Sequence, residues 1–525
     1  MKKLLYISVI LLAAVAACNK DKDLGEAPRL FRPVIKEALV SEGNWIKASW
    51  QPVKGATSYT AQISTDTFKT LVASVTLDTN VVLFQNLKWE KLYQVQVKAI
   101  AADTSHNSGI ASLGSIKTAR FPTILNIPKS SEIADNAVKV SWTTSGAAVT
   151  GIKILLATDS SVVKDVTLSA TDVTNAYRVV SGLTGSTGYI IYLYSGTTVR
   201  GWADFITAAS LTGSIIDLRE ITGVPSVLID TIPDVPSGSI ILLKRGETYN
   251  VTTSLSLNKS LTFMPGTDLM NPANPVIYMP SNFNVLSGST IDSIVFTGVT
   301  LRGSDYASKY IFNINTACTI GKLKFENCWA EIFRGIVRTQ SQPAIINNFE
   351  INNCVMDSIA GYGVLTVDVA TSKADVIKIT NSTFYKAEKI ITSKNNSTSL
   401  LIENCTFNEA PTGSGSAYYI DYSTSPTNVV ANGVTVNNCI FGIGKITTGG
   451  LLTVRDIRVG AATVINTANL YRTSDHVSLG NDFPTFTTYP KTAAQLWQNP
   501  AAGDFKIIDN TFPGRTNCGD PRWRP

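Results

Sequence analysis

The sequence predicts an all-β chain in which two β-sandwiches are followed by a parallel β-helix. One short phrase recurs six times between residues 294 and 441. Two segments of similar length ahead of it share a core Trp and a fixed Leu-to-Tyr spacing. A hydrophobic fraction of 44% over 525 residues supplies material for several cores.

The chain opens with Met1-Lys2-Lys3 and an apolar run over residues 4–17, a basic n-region and h-region too short for a comfortable membrane span. Residues 1–17 read as a secretory signal. Its end, Val15-Ala16-Ala17-Cys18, resembles a bacterial lipobox, which implies cleavage before Cys18 and lipidation of that residue. The charged stretch Asn19-Lys20-Asp21-Lys22-Asp23, inside a linker over 18–27, is similar to surface-export signals of Bacteroidota lipoproteins. The two resemblances imply a lipid-anchored protein of the outer membrane facing the cell exterior. Each buried methylene of such an anchor contributes about 0.8 kcal/mol.

Residues 28–119 and 120–208 alternate apolar and polar side chains as half-buried strands do. In the first, Trp50 closes an early strand, Tyr59-x-Ala61-x-Ile63 follows, and Leu87 precedes Tyr93 by six residues ahead of Val95-x-Val97. In the second, Trp142 closes Val138-x-Val140-Ser141, Ile152-x-Ile154 follows, and Leu183 precedes Tyr189 by six. This spacing resembles fibronectin type III modules, which implies spacers or docking modules. Core packing is the expected role of Trp50, Trp142, Tyr93 and Tyr189.

Residues 209–470 carry the repeat. Its copies run Ile294-x-Phe296-x-Gly298-Val299-x-Leu301, then through Asn327-Cys328, Asn353-Cys354, Asn381-Ser382 and Asn404-Cys405 to Val434-x-Val436-x-Asn438-Cys439-x-Phe441. Apolar residues alternate at period two before the Asn and resume one residue out of phase after it, so the Asn stands at a corner. A one-residue corner needs left-handed backbone, which Asn tolerates and Gly adopts freely; Gly298 in the first copy obeys the same rule. The copies return every 23 to 34 residues, room for three short strands and their turns. Asn327, Asn353, Asn381, Asn404 and Asn438 then form one ladder and Cys328, Cys354, Cys405 and Cys439 another. Stacked side chains lie about 4.8 Å apart, further than the roughly 3.8 Å between the Cβ atoms of a disulfide, so these thiols read as small buried hydrophobes. The pairing of Cys318 and Cys518 stays open.

Composition narrows the chemistry. A net charge of +6 is too dilute for nucleic acid, and no dense basic block carries interleaved aromatics. The two histidines, His106 and His476, lie in different regions, which argues against a histidine-built zinc site or a Ser-His-Asp triad.

The stretch over 239–249 resembles the first rung of pectate-lyase-like β-helices, and residues 210–470 resemble the pectin-lyase-like superfamily, whose asparagine ladder matches the Asn corner. The resemblance implies a right-handed coil with a substrate groove floored by the strand after the third corner. The C-terminal region, 471–525, holds Gly503-Asp504-Phe505 and Cys518-Gly519-Asp520-Pro521-Arg522-Trp523. It resembles the ending of uncharacterised domains that follow fibronectin modules in Bacteroidota surface lipoproteins. There Trp497 and Trp523 stand either to stack on sugar rings or to cap the last rung.

Candidate groove strands lie at 310–315, 335–340, 364–368, 390–394 and 418–422. Alternation places Asn313, Arg338, Asp368, Lys394 and Asp421 in one outward row, with Tyr419 and Tyr422 nearby. Such a row suits a polyuronide: Arg338 or Lys394 to abstract the C5 proton in β-elimination, Asp368 and Asp421 to hold calcium, and Asn313, Asp368, Tyr419 and Asp421 to bind substrate. As a hydrolase pair, Asp368 and Asp421 two rungs apart, about 9.6 Å, would suit inversion. A solvated strand face has the same composition. Three roles therefore stand open: capture of an acidic, pectin-like polysaccharide beside a glycan-uptake system, a calcium-assisted polysaccharide lyase, and a non-catalytic adhesion stalk.

Overall fold

The structure, a computed structural model, describes residues 29–119, 122–422, 428–446, 449–450 and 452–525. The signal segment, Cys18 and the linker to residue 27 lie outside the described residues. The rest is all-β, and one compact unit holds most of both sandwiches while another holds residues 208–525.

The first sandwich has strands β1 (Ile35–Glu42), β2 (Trp45–Trp50), β3 (Ser58–Ser64), β4 (Ala73–Leu77), β5 (Val81–Phe84), β6 (Leu92–Ile100) and β7 (Ala111–Lys117). They form sheets ordered β1-β2-β5 and β4-β3-β6-β7, the strand order of a fibronectin type III module. Trp50 is fully buried, with the Tyr59 ring edge-on at 5.2 Å. The Tyr93 hydroxyl accepts the Lys88 N–H at 2.9 Å, which is what the six-residue step from Leu87 is for. The second sandwich repeats the order. Its strands are β8 (Leu125–Asn126), β9 (Ala137–Trp142), β10 (Gly151–Leu156), β11 (Val162–Thr167), β12 (Tyr177–Ser181), β13 (Gly188–Ser195) and β14 (Thr198–Ile206), in sheets β12-β9-β8 and β11-β10-β13-β14. Trp142 and Tyr189 are buried within it.

In the β-helix, ten parallel strands from Ile215–Asp217 to Ile465–Ala468 form one wall, and those from Thr290–Thr297 onward end at the Gly or Asn corner. Phe263, Phe296, Phe325, Ile351, Ile379, Ile402 and Val436 stand in direct register along it and fill the interior. Phe296 stacks on Phe263 at 4.7 Å and on Phe325 at 5.5 Å. Parallel pairing forces identical positions of successive rungs over one another, so aromatic columns follow from the repeat itself.

The corner residues have the left-handed backbone their spacing demands: φ is +51° at Asn327, +52° at Asn353, +51° at Asn381, +54° at Asn404 and Asn438, and +64° at Gly298. Asn469, at +52°, continues the series one rung beyond the repeat. Its neighbours lack the inward Cys, so the phrase did not flag it. Asn353 donates to Asn327 at 2.5 Å and Asn404 to Asn381 at 3.1 Å, while Asn381 reaches Asn352 at 2.8 Å and steps the ladder sideways. The described cysteines are all free and buried, and burial pushes the thiols of Cys318 and Cys518 up to about 11 and those of Cys354 and Cys405 well above the ordinary range. They are packing groups. A second bend, at Ile332, Ser358, Lys386 and Glu409, also has positive φ and falls five residues after an Asn each time. No shared residue type marks it.

One boundary lies further along the chain than expected. Parallel pairing continues past residue 470, with Leu470–Arg472 beside Phe486–Thr488. The C-terminal region packs Phe483 and Phe486 on Phe441 at the end of the coil, and its last segment runs lengthwise over the Asn corner. Gly519 N–H donates to the Asn438 carbonyl at 2.8 Å, the Asp520 N–H to Thr406 at 2.9 Å, Arg524 to Asn404 at 3.0 Å and Arg522 to Asn353 at 2.7 Å. Trp497 is fully buried, and the Trp523 indole donates to Thr383 at 2.7 Å, so neither is presented for stacking on sugar.

Asn353→Ala is expected to be about 1 kcal/mol less stable than Asn353→Gly, because both lose the bonds to Asn327 and Arg522 but only Ala is strained at positive φ. Equal denaturation midpoints for the two variants would contradict the corner argument.

Candidate functional site

The wall beyond the second bend contains Tyr310–Ile314, Trp329–Thr339, Val355–Val367, Ile391–Ser393, Ser414–Asp421 and Thr453–Arg458. Its inward column, Phe312, Val337, Leu365, Ile391, Ile420 and Ile457, is buried throughout. The residues one place further face outward: Asn313, Arg338, Thr366, Thr392, Asp421 and Arg458.

This register corrects the expected row. Asp368 and Lys394 follow Thr366 and Thr392 by two residues, so they belong to the next column, which runs through Gln340. Counting within a rung does not supply the turn lengths that set register. Tyr419 and Tyr422 are also corrected: they are 1% and 0% exposed and lie inside the coil. Tyr419 packs against Phe407 and Phe441 and donates to the Ala410 carbonyl at 2.5 Å, and Tyr422 meets Ser397 at 2.6 Å. Tyr419 and Ile420 both point inward, as do Ile336 and Val337, Val364 and Leu365, and Ile390 and Ile391 at the same place in the preceding rungs, and a period-two reading cannot foresee that doubling.

Arg334, Gly361, Tyr362, Thr366, Asp368, Lys389, Thr392, Lys394 and Asp421 line an open cleft of about 490 Å³. Asp368 is its anchor: one oxygen accepts Arg338 Nε at 3.0 Å and Nη2 at 2.5 Å, the other Lys394 Nζ at 2.9 Å. Burial works against the Asp368 charge, but the bonds and charges of Lys394 and Arg338 outweigh it and hold the carboxyl below its usual range. Burial likewise opposes the Arg338 charge, and the Asp368 carboxylate more than restores it. Arg338 is therefore a fixed cation.

The aromatics missed by the sequence reading are Tyr362 and Tyr418. The guanidiniums of Arg334 and Arg338 lie 4.8 and 3.8 Å from the Tyr362 ring centre. Those of Arg455 and Arg458 lie 5.9 and 4.6 Å from that of Tyr418, and Arg458 is bidentate on Asp421 at 2.9 and 2.8 Å. Asn313 accepts from Gln340 at 2.8 Å. The carboxylates expected to share calcium are thus each engaged by cations, and among the described residues no three His, Cys, Asp or Glu side chains form a metal-binding group.

Beside the cleft, loops from distant rungs meet: the Tyr306 hydroxyl donates to Glu388 at 2.6 Å, and Lys445 bonds both Tyr306 and, at 3.1 Å, Glu388. Burial lowers Lys445 to about 8 and raises Glu388.

The two walls differ in charge. Around the Asn corner, Lys322, Lys324 and Lys378 are matched by Glu326, Glu350 and Glu403, with pairs at 3.5 Å (Lys322 to Glu350) and 2.6 Å (Lys324 to Glu326). On the cleft wall, among the described residues, Arg334, Arg338, Lys389, Lys394, Arg455 and Arg458 outnumber the carboxylates Asp368, Asp421 and Glu388.

Residues 247–387 match the family described as Domain of unknown function (DUF4957), and residues 400–523 match Domain of unknown function (DUF5123). No curated protein matches the chain. The chain is also similar to the crystal structure of chicken CNTN1 FN1-FN3 domains at 18% identity, over 35% of this chain and 69% of that one, with a TM-score of 0.16. At that score the likeness carries no weight, and the fibronectin-like assignment rests on strand order.

Proposed function

We propose that the β-helix captures an acidic, pectin-like polysaccharide along the cleft wall, in a lipoprotein anchored through Cys18 to the outer membrane and working beside a glycan-uptake system. The observation that carries this reading is the excess of cations on one wall of a coil whose other wall is balanced. Guanidinium forks and ammonium groups matched to carboxylates favour a polyanion.

Capture is favoured over cleavage by the positions of the proposed bases. Arg338 and Lys394 both donate to Asp368, so neither is poised to take a proton. Asp368, held ionised, is equally unsuited to the protonating role of a hydrolase.

Affinity electrophoresis on polygalacturonate, rhamnogalacturonan and alginate, with and without calcium, tests the reading while absorbance reports unsaturated uronides. Retardation without absorbance is expected, weakening as salt rises. Arg338→Ala is expected to weaken binding roughly tenfold or more, as loss of a charged hydrogen bond does. Absorbance would favour the lyase, and no retardation on any glycan would favour the adhesion stalk.

A further inference from the structure

We infer that the cleft wall carries two equivalent carboxylate-binding stations, so that it selects an acidic glycan by chain length as well as by charge; this rests on the reading above. Each station has the same four parts. Arg334 and Arg338 lie over Tyr362, and Asp368 holds Arg338. Arg455 and Arg458 lie over Tyr418, and Asp421 holds Arg458.

The construction is suited to binding a carboxylate. A guanidinium has five N–H donors, and the aspartate in each station takes two of them, fixing the plane of the fork against the ring. The remaining donors point their affinity at a second anion without needing to be ordered first. An internal ion pair alone would need neither the second Arg nor the ring.

Spacing makes the pair a ruler. Arg338, Thr366, Thr392, Asp421 and Arg458 occupy successive places in one outward column. Four inter-strand steps of about 4.8 Å set the backbones of Arg338 and Arg458 about 19 Å apart along the coil, and the two forks lean toward each other onto Asp368 and Asp421 of the intervening rungs, which shortens the interval between them. Thr366, Thr392 and the Lys389 and Lys394 ammonium groups floor and flank the interval. A single uronic acid can fill one station; only an oligomer reaches both. Once it does, the second contact is intramolecular and affinity rises without new chemistry.

The test is calorimetric titration of the full chain with size-fractionated oligogalacturonides, from disaccharide to decasaccharide. Short oligomers are expected to bind weakly at two per protein, and longer ones at one per protein. Affinity should climb by about 100-fold over a narrow length window. Arg338→Ala and Arg458→Ala should each halve the short-oligomer stoichiometry and abolish the climb. Arg334→Ala and Arg455→Ala should show the same trend in proteins that keep the Arg338–Asp368 and Arg458–Asp421 ion pairs. Affinity that does not depend on length, or one variant that removes all binding while its counterpart changes nothing, would overturn the two-station inference and leave glycan capture standing. No binding by any oligomer or by the polymer would overturn both.

Discussion

Phe296→Ala is expected to destabilise the β-helix by about 3–5 kcal/mol, read as a lower denaturant midpoint for its unfolding transition. The ring is fully buried, stacked on Phe263 and Phe325 and within 5.9 and 6.2 Å of Phe283 and Phe312. Its neighbours above and below, Phe263 and Phe325, are held in direct register by the strand ladder, so they cannot slide into the space left behind. The cavity stays open and its lining loses contacts outright. Phe296→Leu, which keeps most of the volume, should cost less than half as much. A loss below about 1 kcal/mol for the Ala variant would mean that the column relaxes and is not a rigid stack.

Stability should also depend on pH through Asp456, which lies inside the coil with one oxygen accepting the Phe483 N–H at 3.1 Å and the other unpartnered. Burial pushes its carboxyl up to about 7. The folded chain therefore keeps a proton between pH 3.8 and about 7 that the unfolded chain gives up. The associated stability is complete below pH 3.8 and is lost as pH rises through 7, about 4 kcal/mol in all. His476 acts oppositely. Its Nε2 stands 3.8 Å from the same carboxylate, and burial lowers its pKa, so its contribution is present above the ordinary histidine range and lost as pH falls. Arg472, Asp475 and Asp482 also act on this pair. Because the two trends overlap in acid, the difference between Asp456→Asn and the natural protein is the informative quantity. An Asn stays neutral, so that difference should grow in favour of the variant by about 4 kcal/mol between pH 4 and 8. A difference that is flat with pH would show that Asp456 is already ionised in the fold.

Much of the coil was legible because one backbone requirement leaves a mark in residue type. Left-handed corners select Asn or Gly, and the phase shift around Asn327 or Asn404 can be read without coordinates. The second bend needs the same backbone, yet Ile332, Ser358, Lys386 and Glu409 share no chemistry, so only their common offset from the Asn betrays it. Tyr362 and Tyr418 escaped notice for a related reason. Their importance lies in which guanidiniums cover them, and those come from other rungs.

The sequence by itself determined the all-β class, the tandem sandwiches and the parallel coil, because period-two alternation, a core Trp with its tyrosine, and a corner residue are local demands repeated along the chain. Tertiary structure decided which outward residues share a column, that Tyr419 turns inward, that the C-terminal segment lies along the ladder, and that one wall is cationic. Those depend on the length of each turn and the irregularities of each strand, which set register between residues about thirty positions apart, and a shift of one place exchanges the core face for the outward face.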